Sequence, residues 1–96
     1  MKKLYKLLEV IPKGKVTTYK ELSRILNIHP RKVGLLLKKN LHPIKIPCHR
    51  VVYSNGKIGG YSLGIKRKIE LLRKEGVEIK NNKVDLKKYG FFFTNR

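Results

Sequence analysis

Little in this chain can be cross-linked: its single cysteine, Cys48, excludes an internal disulfide and gives no sign of an oxidising compartment. That cysteine and three scattered histidines match no structural zinc spacing, so no metal site is expected. No apolar run is long enough to span a bilayer. The start, Met1-Lys2-Lys3, leads straight into an amphipathic segment rather than a signal-peptide core. Internal repeats and linker-like stretches are absent as well. The expectation is a soluble, cytoplasmic protein with a single domain over residues 1–96. A basic amphipathic membrane binder fits poorly with the glycine- and proline-punctuated middle.

Acidic residues are scarce too. Six Asp and Glu face 24 Lys and Arg, a formal charge of +18 on 96 residues. So positive a field favours polyanions, nucleic acid first among them. A lysine-rich surface kept for solubility or heat tolerance would account for part of it. With 41% hydrophobic residues the chain can fold around one core despite a charged fraction of 31%.

Leu4, Leu7, Leu8 and Ile11 recur at helical spacing, predicting an amphipathic helix over residues 2–10 that Pro12 and Gly14 stop. Val16-Thr17-Thr18 is a β-branched approach, and Thr18 with Glu21 fits a capping box that opens a second helix at Tyr19. After a break at residues 27–29, Pro30 suits the first turn of a third helix running to about Lys39. Two short helices joined by so short a turn form a helix-turn-helix, and Arg31, Lys32, Lys38 and Lys39 make the second one basic. The pattern suits a DNA-facing helix and equally an ordinary helical hairpin with a solvated charged face. Residues 40–47, with Pro43 and Pro47, read as a stiff irregular loop. Val51-Val52-Tyr53 is a strand candidate leading into the tight-hairpin signal Asn55-Gly56. Gly59, Gly60 and Gly64 bracket Tyr61-Ser62 in a backbone able to approach a ligand closely. Ile65, Ile69 and Leu72 mark a last helix to about Glu75, with Gly76 just beyond it. The tail folds back as a hairpin about Asn81-Asn82, and Phe91-Phe92-Phe93 reads as a flap over the core more readily than as a base-stacking platform. The fold class is mainly α with a small β wing, a winged helix-turn-helix.

Chemistry concentrates at Ile46-Pro47-Cys48-His49-Arg50-Val51-Val52. Cys48 beside His49 has two readings. One is a half-buried thiol packed as a small hydrophobe. The other is a nucleophile whose thiolate is favoured by the imidazole and cationic surroundings.

Pro47-Cys48-His49-Arg50-Val51 decides between them, because the series around it resembles the DNA-binding catalytic domain of the O6-alkylguanine-DNA alkyltransferases. Upstream stand Val16-Thr17-Thr18-Tyr19-Lys20-Glu21-Leu22, then Arg31-Lys32-Val33-Gly34, then Asn40. Downstream stand Gly59, Tyr61-Ser62, Gly64, Lys68 and Glu75-Gly76. The likeness runs through residues 1–76 in order, with a small deletion near 27–29, and leaves 77–96 as a divergent tail.

The resemblance implies a DNA repair protein that flips the damaged nucleotide out of the minor-groove side of a duplex. Flipping is needed because the O6 alkyl group lies within the stack. Cys48 would accept the alkyl group irreversibly from O6-alkylguanine, and O4-alkylthymine is a further substrate to expect. His49 would deprotonate Cys48 through a water, and Glu75 would orient His49. Tyr19 would give a proton to guanine N3. Arg31 would fill the vacated stack, Lys32 and Gly34 would lie along the same helix against DNA, and Asn40 would brace the turn behind the cysteine. Tyr61 and Ser62 would hold O6. The carbonyls of Cys48 and Val51 would accept from the exocyclic amine, with Arg50 counted on the same DNA-binding side. No cofactor is implied, since the base supplies the group and the thiol takes it; alkylated double-stranded DNA is the partner, and the protein is expected to act as a monomer.

Departures from the pattern open alternatives. The family's usual N-terminal domain is expected to be absent, an architecture shared by alkyltransferase-like proteins that bind alkylated DNA without repairing it. Those lack the acceptor cysteine, which is present here. Lys32, Leu35 and Leu36 replace small residues in the recognition helix, and Leu41-His42 stands where a proline-containing pair is usual. A plain winged-helix regulator is the remaining alternative.

Overall fold

The inward leucines of the first helix pack against the second helix, and this contact seeds the larger of two apolar clusters among the described residues. In the computed structural model, which describes residues 2–40 and 46–93, α1 spans Lys2–Val10 and buries Leu4 and Leu8 almost completely. A leucine buried to that degree contributes roughly 1.5–3 kcal/mol. β1 (Thr17–Thr18) runs directly into α2 (Tyr19–Leu26), whose first turn is capped by the Thr18 hydroxyl accepting from the Glu21 N–H at 3.0 Å. Asn27 ends α2 in the left-handed region at φ 55°, and α3 (Pro30–Lys38) begins after a His29 N-cap with Pro30 in its first turn. Expected boundaries and observed ones agree to within a residue here. The contrast at Leu41-His42, and Pro43 with it, lies outside the described residues.

The chain then makes a short 3₁₀ turn, Cys48–Arg50, followed by β2 (Val51–Val52) and α4 (Ile65–Lys74). β2 does not pair with a hairpin partner, as Asn55-Gly56 suggested it would. It lies parallel to β1, Thr17 opposite Val51 and Thr18 opposite Val52, so that one ladder ties the start of α2 to the cysteine turn. The turn about Asn55-Gly56 exists, closed by the Tyr53 N–H on the Lys57 carbonyl at 2.9 Å. Its outgoing limb pairs elsewhere, with the tail: Lys57 opposes Lys83.

That tail holds the anticipated hairpin, β3 (Ile79–Lys80) and β4 (Lys83–Val84), around Asn81 and Asn82 at φ 53° and 58°. Two consecutive left-handed residues give the primed turn that matches strand twist. It also holds a short helix without a clear sequence signal, α5 (Leu86–Tyr89), capped by Asp85. Val16, Val52, Ile58, Leu72, Val77, Ile79 and Val84 form the second cluster beneath this small sheet. The aromatic run divides as a flap does: Phe93 is buried in the first cluster, Phe91 packs edge-on against it at 5.2 Å between ring centroids, and Phe92 turns outward. The strap is pinned by the Phe93 N–H on Glu21 Oε2 at 2.8 Å and by Arg24 on the Phe93 carbonyl at 3.2 Å.

Gly56 shows how closely the turn and the tail fit. It holds φ at +90°, and a Cβ there would lie 2.5 Å from the Val84 carbonyl oxygen. Gly56→Ala is therefore expected to lose about 2–4 kcal/mol of stability, from left-handed strain and the forced separation of backbone. Chemical denaturation checks this, and a loss below 1 kcal/mol, on the order of an ordinary surface substitution, contradicts it.

Candidate active site

Cys48 sits at the start of the 3₁₀ turn, where β2 pairs with β1 and Asn40 reaches across from the end of α3. Asn40 Nδ2 donates to the Ile46 carbonyl at 3.0 Å, and the Asn40 side chain also hydrogen-bonds Cys48. Both residues are buried. Burial pushes the Cys48 thiol up from its ordinary value, against the opposing pull of the Asn40 hydrogen bond and the Lys68 charge. At rest, then, the group is a thiol rather than a thiolate. A base is needed to activate it.

The adjacent imidazole has the right connections. His49 is buried, and its Nε2 lies 3.0 Å from Glu75 Oε2. A carboxylate there fixes the Nε2–H tautomer and leaves the Nδ1 lone pair as the basic one. Burial alone would push the Glu75 carboxyl up, but hydrogen bonds from Arg50 and His49 outweigh it and hold the group below its usual range.

Arg50 points away from where it was expected. Rather than facing a DNA ligand, its Nε and Nη2 grip Glu75 at 2.9 and 2.7 Å, while Nη1 donates to the Ile11 carbonyl at 2.7 Å. A two-pronged arginine–carboxylate contact is directional and strong. It ties the cysteine turn, the C-terminus of α4 and the end of α1 together. Val51 is likewise fully buried, and its carbonyl already accepts from Lys68 Nζ at 2.7 Å.

Lys68 is the residue whose part was missed. Its side chain is completely buried, and Nζ donates to the carbonyls of Val51, Ile58 and Gly60 at 2.7, 2.5 and 3.1 Å. Three acceptors match the three protons of an ammonium. Burial nonetheless lowers its pKa to about 7, with the Cys48 charge pulling the other way. A signal was present in the sequence: Lys68 stands one helical turn before Leu72 on the face that Leu71 and Leu72 bury, where a lysine without a purpose is unfavourable.

Cys48 opens on a cavity of about 1080 Å³. Tyr19, Arg31, Gly34, Tyr61 and Ser62 line it, as do Lys20, Leu35, Lys38, Tyr53 and Ser54, which had not been singled out as site residues. Gly34 keeps one wall open, with nothing within 4 Å of a would-be Cβ. Tyr19 packs on Tyr53 at 5.2 Å between centroids, and burial first, with Tyr53 and Cys48 adding, pushes its phenol up to about 12. Tyr61, edge-on to His49 at 6.2 Å, is likewise pushed up to about 12 by burial. Both phenols stay protonated and able to donate near neutrality. Lys32 is exposed on α3 outside the lining, and Asn40, His49 and Glu75 stand behind the cavity wall rather than in it.

A buried thiol lines a basic cleft, backed by an imidazole and a clamped carboxylate. The comparisons with known proteins give the chain's family. The model of the 6-O-methylguanine DNA methyltransferase DNA binding domain matches residues 1–77, and the chain belongs to that family. A bifunctional methyltransferase/endonuclease of Picrophilus torridus is 48% identical over 90 residues, covering 92% of this chain and 30% of its own length. The methylated-DNA–protein-cysteine methyltransferase of Saccharolobus solfataricus is 51% identical over 76 residues, 79% of this chain and 50% of its own. The chain thus spans half or less of these curated relatives. Among solved structures, the O6-methylguanine-DNA methyltransferase of Pyrococcus kodakaraensis superposes with a TM-score of 0.74 at 49% identity, covering 79% of this chain and 45% of its own. S. pombe Atl1, bound to damaged DNA containing O6-carboxymethylguanine, superposes with a TM-score of 0.82 at 32% identity, covering 94% and 92%.

The carboxylate clamp has a pH signature. Because the folded-state pKa of Glu75 lies below its ordinary 4.5, its contribution is present above that value and lost as pH falls through the folded one. Melting temperatures from pH 7 downward are expected to fall more steeply in the wild type than in Glu75→Gln, which starts lower. Parallel acid limbs would show that Glu75 titrates no differently when folded.

Proposed function

We propose that this protein repairs DNA by moving the alkyl group of O6-alkylguanine, and of O4-alkylthymine, to Cys48 in a single irreversible turnover. The observation that carries the reading is Cys48 on the cavity floor with the His49–Glu75 pair directly behind it. His49, through a water, takes the thiol proton. Sγ then attacks the alkyl carbon in line, the carbon–O6 bond breaks, and its electron pair stays on the base. A proton reaching N3 from Tyr19 leaves neutral guanine. Ser62 and Tyr61 donate to O6 as charge develops there. The Cys48 carbonyl accepts from the exocyclic amine, while Val51 contributes its carbonyl to Lys68 instead.

DNA approaches as to a winged helix-turn-helix, α2 and α3 forming the pair and α3 lying in the minor groove. Arg31, exposed at the start of α3 and on the cavity rim, enters the stack as the nucleotide flips. Lys32 and Gly34 belong to the same surface, and Asn40 braces the cysteine turn from within. The reading is of a cytoplasmic monomer. Among the described residues no helix is long and apolar enough to cross a membrane.

A second reading is damage recognition without transfer. The likeness to S. pombe Atl1 favours it, because that match covers nearly all of both chains. Cys48 favours transfer. Incubation with an O6-methylguanine duplex followed by intact mass separates the two: one methyl group is expected on the wild type and none on Cys48→Ala. Tight binding with the lesion left intact would establish the second reading.

Arg31→Ala is expected to slow transfer from duplex DNA about tenfold or more, equivalent to roughly 1.4 kcal/mol of barrier. Transfer from the free base should change little, because extrusion is the impaired step. Equal losses on both substrates would give Arg31 another role.

A further inference from the structure

Beyond the family match, which ends at residue 77, the tail adds two strands to the turn that follows β2. The result is a three-strand patch with two faces. Ile58, Ile79 and Val84 point inward and are buried. Their neighbours Lys57, Lys80 and Lys83 point outward and are exposed. Register places these lysines directly across from one another, Lys80 opposite Lys83 and Lys83 opposite Lys57. Like charges facing across strands are destabilising. Among the described residues no ion pair involves any of the three.

A row that opposes its own folding is explained by a ligand that neutralises it. We infer that Lys57, Lys83 and Lys80 form a phosphate rail for the duplex flanking the damaged nucleotide, assembled only because the tail completes the wing. Strands lie about 4.8 Å apart, so the row is about 10 Å across, the axial span of about four successive phosphates of one strand at about 3.4 Å per step. The row is tied through the backbone to the turn whose start borders the cavity. Tyr53 and Ser54 line it, and the Tyr53 N–H holds the Lys57 carbonyl at 2.9 Å. The inference rests on the DNA-repair reading and deepens it, assigning to the divergent tail the contacts outside the lesion.

The test is the salt dependence of binding to an undamaged duplex for the wild type, for Lys57→Gln/Lys80→Gln/Lys83→Gln, and for a control carrying Lys6→Gln, Lys13→Gln and Lys74→Gln. Each lost phosphate contact flattens the plot of log K against log salt by about 0.9, so the wing variant should flatten it by about 2–3. The control should flatten it far less, and methyl transfer from the free base should be unaltered in both. Should the triple variant fail to fold, Lys83→Gln alone is expected to flatten the slope by about 1. A wing variant indistinguishable from the control overturns the rail while leaving the repair reading intact. So does a wing variant that loses binding to poly-glutamate but keeps the duplex slope. A wild type with no salt-dependent duplex affinity overturns both.

Discussion

The carboxylate of Glu75 is the joint on which the arrangement turns. One oxygen faces His49, and both are held by Arg50, whose remaining nitrogen reaches the end of α1. Three parts of the chain meet there: the end of the first helix, the cysteine turn with its imidazole, and the C-terminus of α4. Removing one partner of a largely buried pair leaves an uncompensated charge, typically worth about 3–5 kcal/mol of stability. A fixed carboxylate also sets the histidine tautomer, so in the proposed transfer the same interaction would serve both stability and reactivity.

Lys68 plays the complementary part on the other side of the thiol. Its ammonium gathers carbonyls from β2 and from the glycine-rich stretch before Tyr61, fastening the cysteine turn to the loop that carries Tyr61 and Ser62. A cation so placed favours negative charge on Cys48 while burial resists it. The thiol is thus kept neutral until a base takes its proton. If Cys48 reacts once, as proposed, low resting reactivity would guard against waste on other electrophiles.

Much of this was legible in the sequence, and what was not had a common cause. Helices α1 to α4 followed from local periodicity, the Thr18 cap and the glycine beyond Glu75; the Asn81-Asn82 hairpin followed from turn chemistry. Cys48, His49, Glu75, Tyr19, Arg31, Asn40, Tyr61 and Ser62 all follow from the resemblance, and Tyr19, Arg31, Tyr61 and Ser62 share the Cys48 cavity. The misses were long-range. The parallel pairing of Thr17 with Val51, the joining of Lys57 to Lys83 and the inward turn of Arg50 each depend on segments far apart in the chain. No local pattern encodes them. Lys68 lay on an apolar helical stripe, and only its three distant carbonyls explain why a lysine is tolerated there.

The central claim is that the His49–Glu75 pair generates the Cys48 thiolate, and the pH dependence of transfer tests it most directly. Single-turnover rates from free O6-methylguanine would be measured across the neutral and alkaline range for the wild type and Glu75→Gln. The account predicts a rate that rises with pH to a plateau, with the variant slower near neutrality, its midpoint moved upward, and its rate approaching the wild type where the thiol ionises unaided. Identical midpoints, with a rate reduced equally at every pH, would contradict it.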